Sequence, residues 1–280
     1  MIIFHEIREI KKYISELNNT GVKIGFVPTM GALHKGHISL VKRAKDENAV
    51  CVCSIFVNPA QFNNKEDLEL YPRTLEADTS LLESVGCDVL FAPSEQEMYP
   101  EPDNTTFDFG GLDKPLEGKF RPGHFNGVAI IVKKLFDIVN PTKAYFGEKD
   151  FQQLVIIKYM VKNLGLPVEI VSCETEREHD GFAISSRNSR LSESERKEAT
   201  EIYRMLWKIK QISLRNDPPI LRNWLNREMI YHPLMKLDYF EIVNTETLEP
   251  VSDFNNIGKC IACIAVQLGN VRLIDNIKFL

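Results

Sequence analysis

Two histidines, His34 and His37, lie three residues apart in the segment Pro28-Thr-Met-Gly-Ala-Leu-His-Lys-Gly-His37, here called the His turn. The apolar, β-prone residues 22–27 precede it, and residues 38–44 carry apolar side chains at helical spacing. This pattern predicts a strand, a glycine-containing turn and the start of a helix. A helix start offers free N–H groups and the positive end of a dipole, so both histidines can face one bound anion.

Two other interpretations of the His turn remain open on these ten residues alone. A His-x-x-His pair can bind zinc, but a zinc site needs three or four ligands, and the first cysteine is Cys51. A histidine in a loop can also be a solvated surface group. The order His-Lys-Gly-His resembles the H-x-G-H signature of adenylate-forming nucleotidylyltransferases, which favours phosphate binding.

Three further segments carry groups that suit a nucleotide and an acid. In Gly147-Glu-Lys-Asp150, the nucleotide turn, Lys149 can reach a phosphate, and Asp150 can cap a helix or hold a hydroxyl or a metal. Residues 181–188, the serine loop, place two hydroxyls beside an arginine, which suits a phosphate. The amides of Gln61 and Gln153 can hold a hydroxylated acid without neutralising its carboxylate. Taken alone, the nucleotide turn also fits a solvated charged turn, the serine loop an ordinary loop before a helix, and either glutamine a surface residue.

The composition is that of a globular protein with one large or two smaller domains. The 280 residues are 44% hydrophobic and 26% charged, and the net charge of −5 argues against nucleic-acid binding through a bulk positive field. Charge begins at Glu6, too early for a secretory signal, and no stretch is long enough to span a membrane. Six cysteines with a single C-x-x-C suggest reduced, buried thiols in a cytoplasmic protein.

Alternating strands and helices must position these segments. The predicted strands of the first half are 22–27, 49–57, 88–93, 143–146 and 168–173, and the intervening helices include 5–19, 66–85, 125–139 and 151–164. This order predicts an α/β fold with a Rossmann-like, doubly wound parallel sheet in an N-terminal domain, residues 1–175. In such sheets, ligands bind at the carboxyl ends of the strands.

The pattern changes after residue 176. Helices are predicted at 192–213 and 219–229, followed by strands at 237–243, 260–268 and 271–274. We therefore expect a smaller α+β C-terminal domain, residues 176–280, that covers the site. Residues 94–123 are rich in proline, glycine and acidic groups, and residues 116–124, the lid segment, could form a mobile wall of the site.

Together these segments resemble one family, pantothenate synthetase (pantoate–β-alanine ligase). The matches follow the family's order over nearly the whole chain: PTMGALHKGH at 28–37, SIFVNPAQF at 54–62, YPRT at 71–74, LEGKFRPGHFNGV at 116–128, AYFGEKDFQQ at 144–153, DGFAISSRNSRLS at 180–192, and the late LDYFEIV and RLIDN. The resemblance implies that ATP and (R)-pantoate give pantoyl-adenylate and pyrophosphate. β-Alanine then attacks the adenylate, giving pantothenate and AMP, with Mg²⁺ required.

The resemblance also implies roles for individual residues. The ATP-binding set is Met30, Gly31, Ala32, Leu33, His34, Lys35, Gly36, His37, Gly147, Glu148, Lys149, Asp150, Glu176, Ile184, Ser185, Ser186 and Arg187. Within it, the catalytic set is His34, His37, Lys149, Ser185 and Arg187, with His37 as proton donor. Gln61 and Gln153 match the pantoate contacts, and Gln61 also serves the β-alanine side. The resemblance does not fix the metal position, for which Asp78 and Asp150 are candidate ligands beside the oxygens of ATP.

Two positions depart from the family pattern, and two other functions compete with the ligase. Glu176 replaces a small apolar residue near the adenine and could alter that pocket, whereas Ile184 replaces Met or Leu. A plain nucleotidylyltransferase would share the His turn without needing Gln61 and Gln153. A non-catalytic ATP sensor would need fewer of the phosphate-binding groups. The family is typically dimeric, so the resemblance implies a homodimer. We expect the partners to be the small molecules ATP, (R)-pantoate and β-alanine, and neither nucleic acid nor a membrane.

Overall fold

A six-stranded parallel sheet forms the larger part of this computed structural model, which describes residues 1–279. The strands lie in the order β1-β4-β3-β2-β5-β6, and every neighbouring pair is parallel. Strands β3 and β4 follow β2 on one side of it, and β5 and β6 lie on its other side, so the strand order reverses between β2 and β5. Their bounds are β1 (Ile2–Phe4), β2 (Ile24–Thr29), β3 (Val50–Ile55), β4 (Val89–Phe91), β5 (Lys143–Gly147) and β6 (Glu169–Cys173).

Helices cover both faces of this sheet, which explains why its strands are continuous apolar runs. In β3, Val52 packs with α1, α7 and α8 on one face, whereas Cys51 and Cys53 pack with α2 and α4 on the other. Among residues 1–279, no helix is both long and apolar enough to cross a membrane. The helices are α1 (Ile7–Asn18), α2 (Lys35–Glu47), α3 (Lys65–Glu69), α4 (Leu75–Ser84), α5 (Glu95–Met98), α6 (Glu117–Phe120), α7 (His124–Val139) and α8 (Phe151–Leu164).

A separate three-stranded antiparallel sheet, in the order β7-β8-β9, forms the rest. Helices α9 and α10 pack on one face of it, and on the other face Ile261 and Cys263 join the core of the first sheet. Burial from both sides makes the central strand β8 apolar. The bounds are α9 (Glu193–Ile212), α10 (Pro218–Glu228), β7 (Met235–Asn244), β8 (Cys260–Leu268) and β9 (Val271–Lys278).

The predicted α/β fold with a smaller α+β part is confirmed. Strand β1 was not predicted, because three residues at an exposed sheet edge carry no burial pattern. Strand β9 extends four residues beyond the prediction, since its buried Asp275 and Asn276 interrupt the apolar run. The first sheet ends at Cys173, and the division between residues 175 and 176 stays a prediction.

Strand β9 of the second sheet forms hydrogen bonds and ion pairs with three loops. Asp275 accepts two hydrogen bonds from Arg177, of 2.7 and 2.9 Å, at the base of the serine loop. The amide of Asn276 donates to the carbonyls of Glu148 and Lys149 at 2.9 and 3.0 Å. At the start of the strand, Arg272 grips both carboxylate oxygens of Glu117 in the lid segment. The two parts of the fold are therefore joined through polar contacts around a shared cleft.

The Arg177–Asp275 pair provides a test of these contacts. Asp275 is 5% exposed, and Asp275→Asn would turn an amide donor towards the guanidinium. We expect the free energy of unfolding to fall by about 3 kcal/mol, because an unpaired charge then stays buried. Urea denaturation measures the change. The matched control is Glu246→Gln, whose partner Lys259 is a surface lysine, and it should change nothing measurable. Equal effects of both variants would contradict the assigned role.

Candidate active site

Two adjoining cavities lie where β2 and β5 end, at the point where the order of the sheet reverses. One encloses about 220 Å³ beside the His turn, and the other encloses about 550 Å³ between the lid segment, the serine loop and β9. Ligands of α/β sheets bind at such switch points. Five residues line both cavities and so mark their junction: Arg121, Lys149, Asp150, Ser185 and Arg187.

Asp78, which lies in α4, fixes the conformation of the His turn. Its two carboxylate oxygens accept hydrogen bonds from the N–H groups of Ala32 and Leu33, at 2.9 and 2.8 Å, and Thr74 adds a third. Ala32 has a φ of 49°, a left-handed conformation that costs a non-glycine residue about 1 kcal/mol. The carboxylate therefore stabilises an unfavourable turn, and the amides of Ala32 and Leu33 are occupied by protein rather than free for a phosphate.

The two histidines stack face to face at the start of α2. Their ring centroids are 4.0 Å apart, and the backbone N–H of His34 donates to the ring Nδ1 of His37 at 3.4 Å. Nδ1 of His37 is thus an acceptor, so a neutral His37 carries its proton on Nε2. Gly36 makes room for this arrangement, because a Cβ there would lie 3.0 Å from the His34 ring. Both rings line the smaller cavity.

Both histidines are neutral near pH 7. Burial, and then the charge of Lys149, lowers the pKa of His34 to about 4. Burial, and then His34, lowers the pKa of His37 to about 3. The imidazoles act first as neutral hydrogen-bond donors, and a bound polyanion would raise their pKa values.

The nucleotide turn supplies one cation and one carboxylate to the cleft. Lys149 and Asp150 lie in the single helical turn that follows β5, and Nζ of Lys149 is 3.8 Å from the Asp150 carboxylate. Desolvation opposes ionisation of Asp150, but Lys149, Arg187 and Arg121 outweigh it and lower its pKa. A half-exposed, ionised carboxylate thus stands among cations.

The serine loop presents a hydroxyl and a guanidinium. The Ser185 hydroxyl oxygen accepts a hydrogen bond from the backbone N–H of Arg187 at 3.3 Å. The hydroxyl proton of Ser185 can therefore still be donated to a ligand. The Arg187 guanidinium pairs with Asp67 of α3 at 2.9 Å, and Arg190 binds the same carboxylate. Asp67 occupies the position of an anionic partner of Arg187, so a phosphate must compete with it for this guanidinium.

Gln61 follows β3 and is held by its neighbours. Its oxygen accepts from Asn58 at 3.1 Å, and its nitrogen approaches Sδ of Met30 at 3.1 Å. Asn58 is itself fixed by Tyr99, whose hydroxyl donates to it at 2.7 Å. Gly127 lets α7 pack against this turn, since a Cβ there would lie 2.2 Å from the carbonyl oxygen of residue 60. The carboxamide is therefore pre-oriented beside the His turn.

The two consecutive glutamines of α8 have separate environments. Gln152 is buried, and its side chain bonds to Leu112, Pro115 and the N–H of Glu117, which ties the lid segment to the helix. Gln153 is one residue further around the helix and lines the smaller cavity. Of the two side-chain amides, only that of Gln153 thus faces the cavity.

Most of the predicted site residues converge on the smaller cavity. Fourteen of them line it: Met30, His34, Gly36, His37, Gln61, Gly147, Lys149, Asp150, Gln153, Glu176, Ile184, Ser185, Ser186 and Arg187. Within residues 1–279, six others do not line it: Gly31, Ala32, Leu33, Lys35, Asp78 and Glu148. Glu176 lines the cavity, and its Cβ lies near Gly36.

Sequence reasoning missed several residues of the cleft. Arg121 and His124 lie in the quoted lid motif but received no role, and both line the smaller cavity. Asn58 orients Gln61, and Asp67 pairs with Arg187. For Arg121, His124 and Asn58 a polar side chain inside a matching motif was the only available signal, and Asp67 lies outside the matching motifs. The partners of His124 and Asp67 are 63 and 120 residues away in sequence, so these two contacts could not be anticipated.

The arrangement suits polyphosphate beside a small acid. Cationic and neutral donors surround one region, where negative charge on phosphorus would be stabilised. Neutral amides from Gln61 and Gln153 define the adjoining region, where a carboxylate could stay nucleophilic. Such a cleft can activate an acid by attaching it to a nucleotide.

Comparison with known proteins agrees with this chemistry. The model of the family described as pantoate-beta-alanine ligase matches residues 2–278. Pantothenate synthetase of Porphyromonas gingivalis (strain W83) is 49% identical over 279 residues, covering 100% of this chain and 99% of the relative. That of Phocaeicola vulgatus is 52% identical over 280 residues, with the same coverage.

Solved structures agree as well. The crystal structure of pantothenate synthetase from Thermus thermophilus superposes with a TM-score of 0.93 at 43% identity, covering 99% of each chain. A pantoate-beta-alanine ligase from Francisella tularensis, complexed with beta-gamma ATP and beta-alanine, gives a TM-score of 0.83 at 40% identity, covering 99% of this chain and 97% of that one. With the family's motifs gathered in one cleft and full-length relatives near 50% identity, this chain belongs to the pantoate–β-alanine ligase family.

Proposed function

We propose that this chain joins (R)-pantoate to β-alanine through a pantoyl-adenylate, with pyrophosphate leaving in the first step and AMP in the second. The observation that carries the proposal is the adjacency of two unlike subsites in one cavity. The phosphate-binding side holds His34, His37, Lys149 and Arg187, and the acid side holds Gln61 and Gln153. A plain nucleotidylyltransferase or an ATP sensor would not need the second subsite.

In the first step, the pantoate carboxylate attacks the α-phosphorus of ATP. Negative charge grows on the phosphate oxygens and on the departing pyrophosphate. Lys149 and Arg187 stabilise that charge electrostatically, and the Ser185 hydroxyl and His37 Nε2–H donate to oxygen. Gln61 and Gln153 hold the acid through neutral hydrogen bonds, which leave its carboxylate reactive. Arg187 must first exchange Asp67 for phosphate.

In the second step, the amine of β-alanine attacks the acyl carbon and AMP leaves with the electron pair of the broken C–O bond. The acyl-adenylate is labile in water, so the walls of the cleft protect it. Glu117 and Gln152 hold the lid segment against β9 and α8, respectively. Holding both reactants in one cleft makes the attack effectively intramolecular.

Mg²⁺ fits this cleft through Asp150 rather than Asp78. The oxygens of Asp78 already accept three protein hydrogen bonds, and its carboxylate is buried. The Asp150 carboxylate is half exposed and ionised among the phosphate-binding groups. Asp150 and the phosphates would hold the ion together, as is common for this metal. Bound there, it would neutralise charge on the triphosphate.

Three further features are part of the proposal. What is typical of the family supports a homodimer and a cytoplasmic location. The division into a catalytic domain, residues 1–175, and a covering domain, residues 176–280, is supported by the separate sheets on either side of the cleft. The adenine would lie near Glu176 and Ile184, which line the cavity beside the serine loop.

Product analysis tests the proposed reaction. With Mg-ATP, pantoate and β-alanine, we expect pantothenate, AMP and pyrophosphate to form in equal amounts, because each amide consumes one adenylate. Chromatography measures AMP and pyrophosphate from ATP labelled in its α- and γ-phosphates, and pantothenate from carbon-labelled β-alanine. Pyrophosphate release without any amide would favour the plain nucleotidylyltransferase. ATP binding without any turnover would favour the sensor.

Replacing Gln153 separates acid binding from nucleotide binding. Gln153→Ala removes a cavity-facing amide, so we expect the dissociation constant for pantoate to rise about tenfold, in line with one lost hydrogen bond of about 1 kcal/mol or slightly more. The dissociation constant for ATP should stay within twofold. Calorimetric titration of each ligand measures both. Gln96→Ala, on the exposed face of α5, serves as the control. An equal loss for both ligands would show that Gln153 only supports α8.

A further inference from the structure

Arg121 differs from the other arginines of the cleft in its lack of a counter-ion. Arg187 and Arg190 share Asp67, and Arg272 binds Glu117 and Asp238. Within residues 1–279 the Arg121 side chain forms no ion pair. It donates one long hydrogen bond, of 3.4 Å, to the backbone carbonyl of Gln61. Removing a guanidinium from water without a carboxylate is costly, and burial lowers the pKa of Arg121. A site that keeps such a group is suited to an anion from solution.

The position of Arg121 narrows the choice of anion. It lies in the lid segment and borders both cavities, so its donors stand where a ligand passes from the open cleft to the His turn. The Gln61 carbonyl that it approaches also accepts a 2.7 Å hydrogen bond from Nδ1 of His124. Arg121 is thereby attached to the acid subsite. Lys149, Ser185 and Arg187 belong instead to the turn and loop expected to hold the nucleotide.

The reaction leaves one charge without a partner. The pantoate carboxylate loses its charge when the adenylate forms, and the phosphates have Lys149 and Arg187. β-Alanine keeps its carboxylate throughout, and that group lies two carbons from the attacking amine. Resting on the proposed function, we propose that Arg121 binds the carboxylate of the amine substrate and so selects β-alanine over amines without one. Guanidinium groups bind carboxylates through paired N–H donors.

Two consequences follow from this placement. A carboxylate anchored at the lid segment would direct the amine past Gln61 towards the acyl carbon, which fixes the length of substrate that can react. Positive charge near the amine also favours its neutral, nucleophilic form. Arg121 also lies close enough to Arg187 for their charges to interact, so a phosphate is the competing anion.

Comparing two amines tests the proposal. Arg121→Ala should lower kcat/KM for β-alanine about 10²-fold, the usual scale for losing one partner of a desolvated charge pair. The same variant should leave kcat/KM for propylamine, which has no carboxylate, within about twofold of its wild-type value. Its pyrophosphate exchange with ATP and pantoate should also be unchanged. Lys119→Ala, an exposed cation of the same lid segment, is the control and should behave as wild type.

Other outcomes overturn the assignment. A raised KM for ATP or slower pyrophosphate exchange in Arg121→Ala would place a phosphate at Arg121. An equal loss for both amines would show a structural role. Should Arg121→Ala not fold, Arg121→Gln keeps part of the aliphatic stem and a polar end without the charge, and it carries the same comparison. If the wild-type protein makes no amide from β-alanine, the proposed function itself fails, and this result is separate from any effect of Arg121.

Discussion

The hold of β9 on the nucleotide turn is the contact on which the cleft depends. Asn276 captures the carbonyls of Glu148 and Lys149. In a trans peptide the N–H of the next residue points opposite to the carbonyl, so the N–H groups of Lys149 and Asp150 are turned away from Asn276. The same strand holds Arg177 through Asp275 and the lid segment through Arg272. Three walls of the cleft thus share one rigid support, although they come from distant parts of the chain.

Charge is distributed in this cleft so that Arg187 and Lys149 each have a carboxylate beside them, whereas Arg121 does not. Asp67 holds Arg187, and Asp150 lies near Lys149. The histidines avoid the problem by remaining neutral, since burial and nearby charge depress their pKa values. A triphosphate can exchange with Asp67 at Arg187 and raise the pKa values of the imidazoles. The site is therefore preorganised for an anion without the full repulsion of several unpaired cations.

The sequence predicted the elements better than the contacts between them. Apolar runs flanked by helical patterns identified five of the six parallel strands, and glycine spacing located the His turn between β2 and α2. The capture of the His turn by Asp78 was not predictable, because 45 residues separate Asp78 from Leu33. Helix phase decides that Gln153 faces the cavity while Gln152 ties the lid segment. Arg121 lies inside a matching motif, but the sequence could not show what distinguishes it, because that distinction is a missing counter-ion.

The order of the chemistry is the central claim, since a cleft that holds phosphate and acid side by side can act before the amine arrives. Exchange of labelled pyrophosphate into ATP, measured with the enzyme, Mg²⁺ and pantoate but no β-alanine, tests it most directly. We expect exchange that depends on pantoate, together with AMP release that begins only when β-alanine is added. Exchange that requires β-alanine would contradict the stepwise adenylate route for this protein.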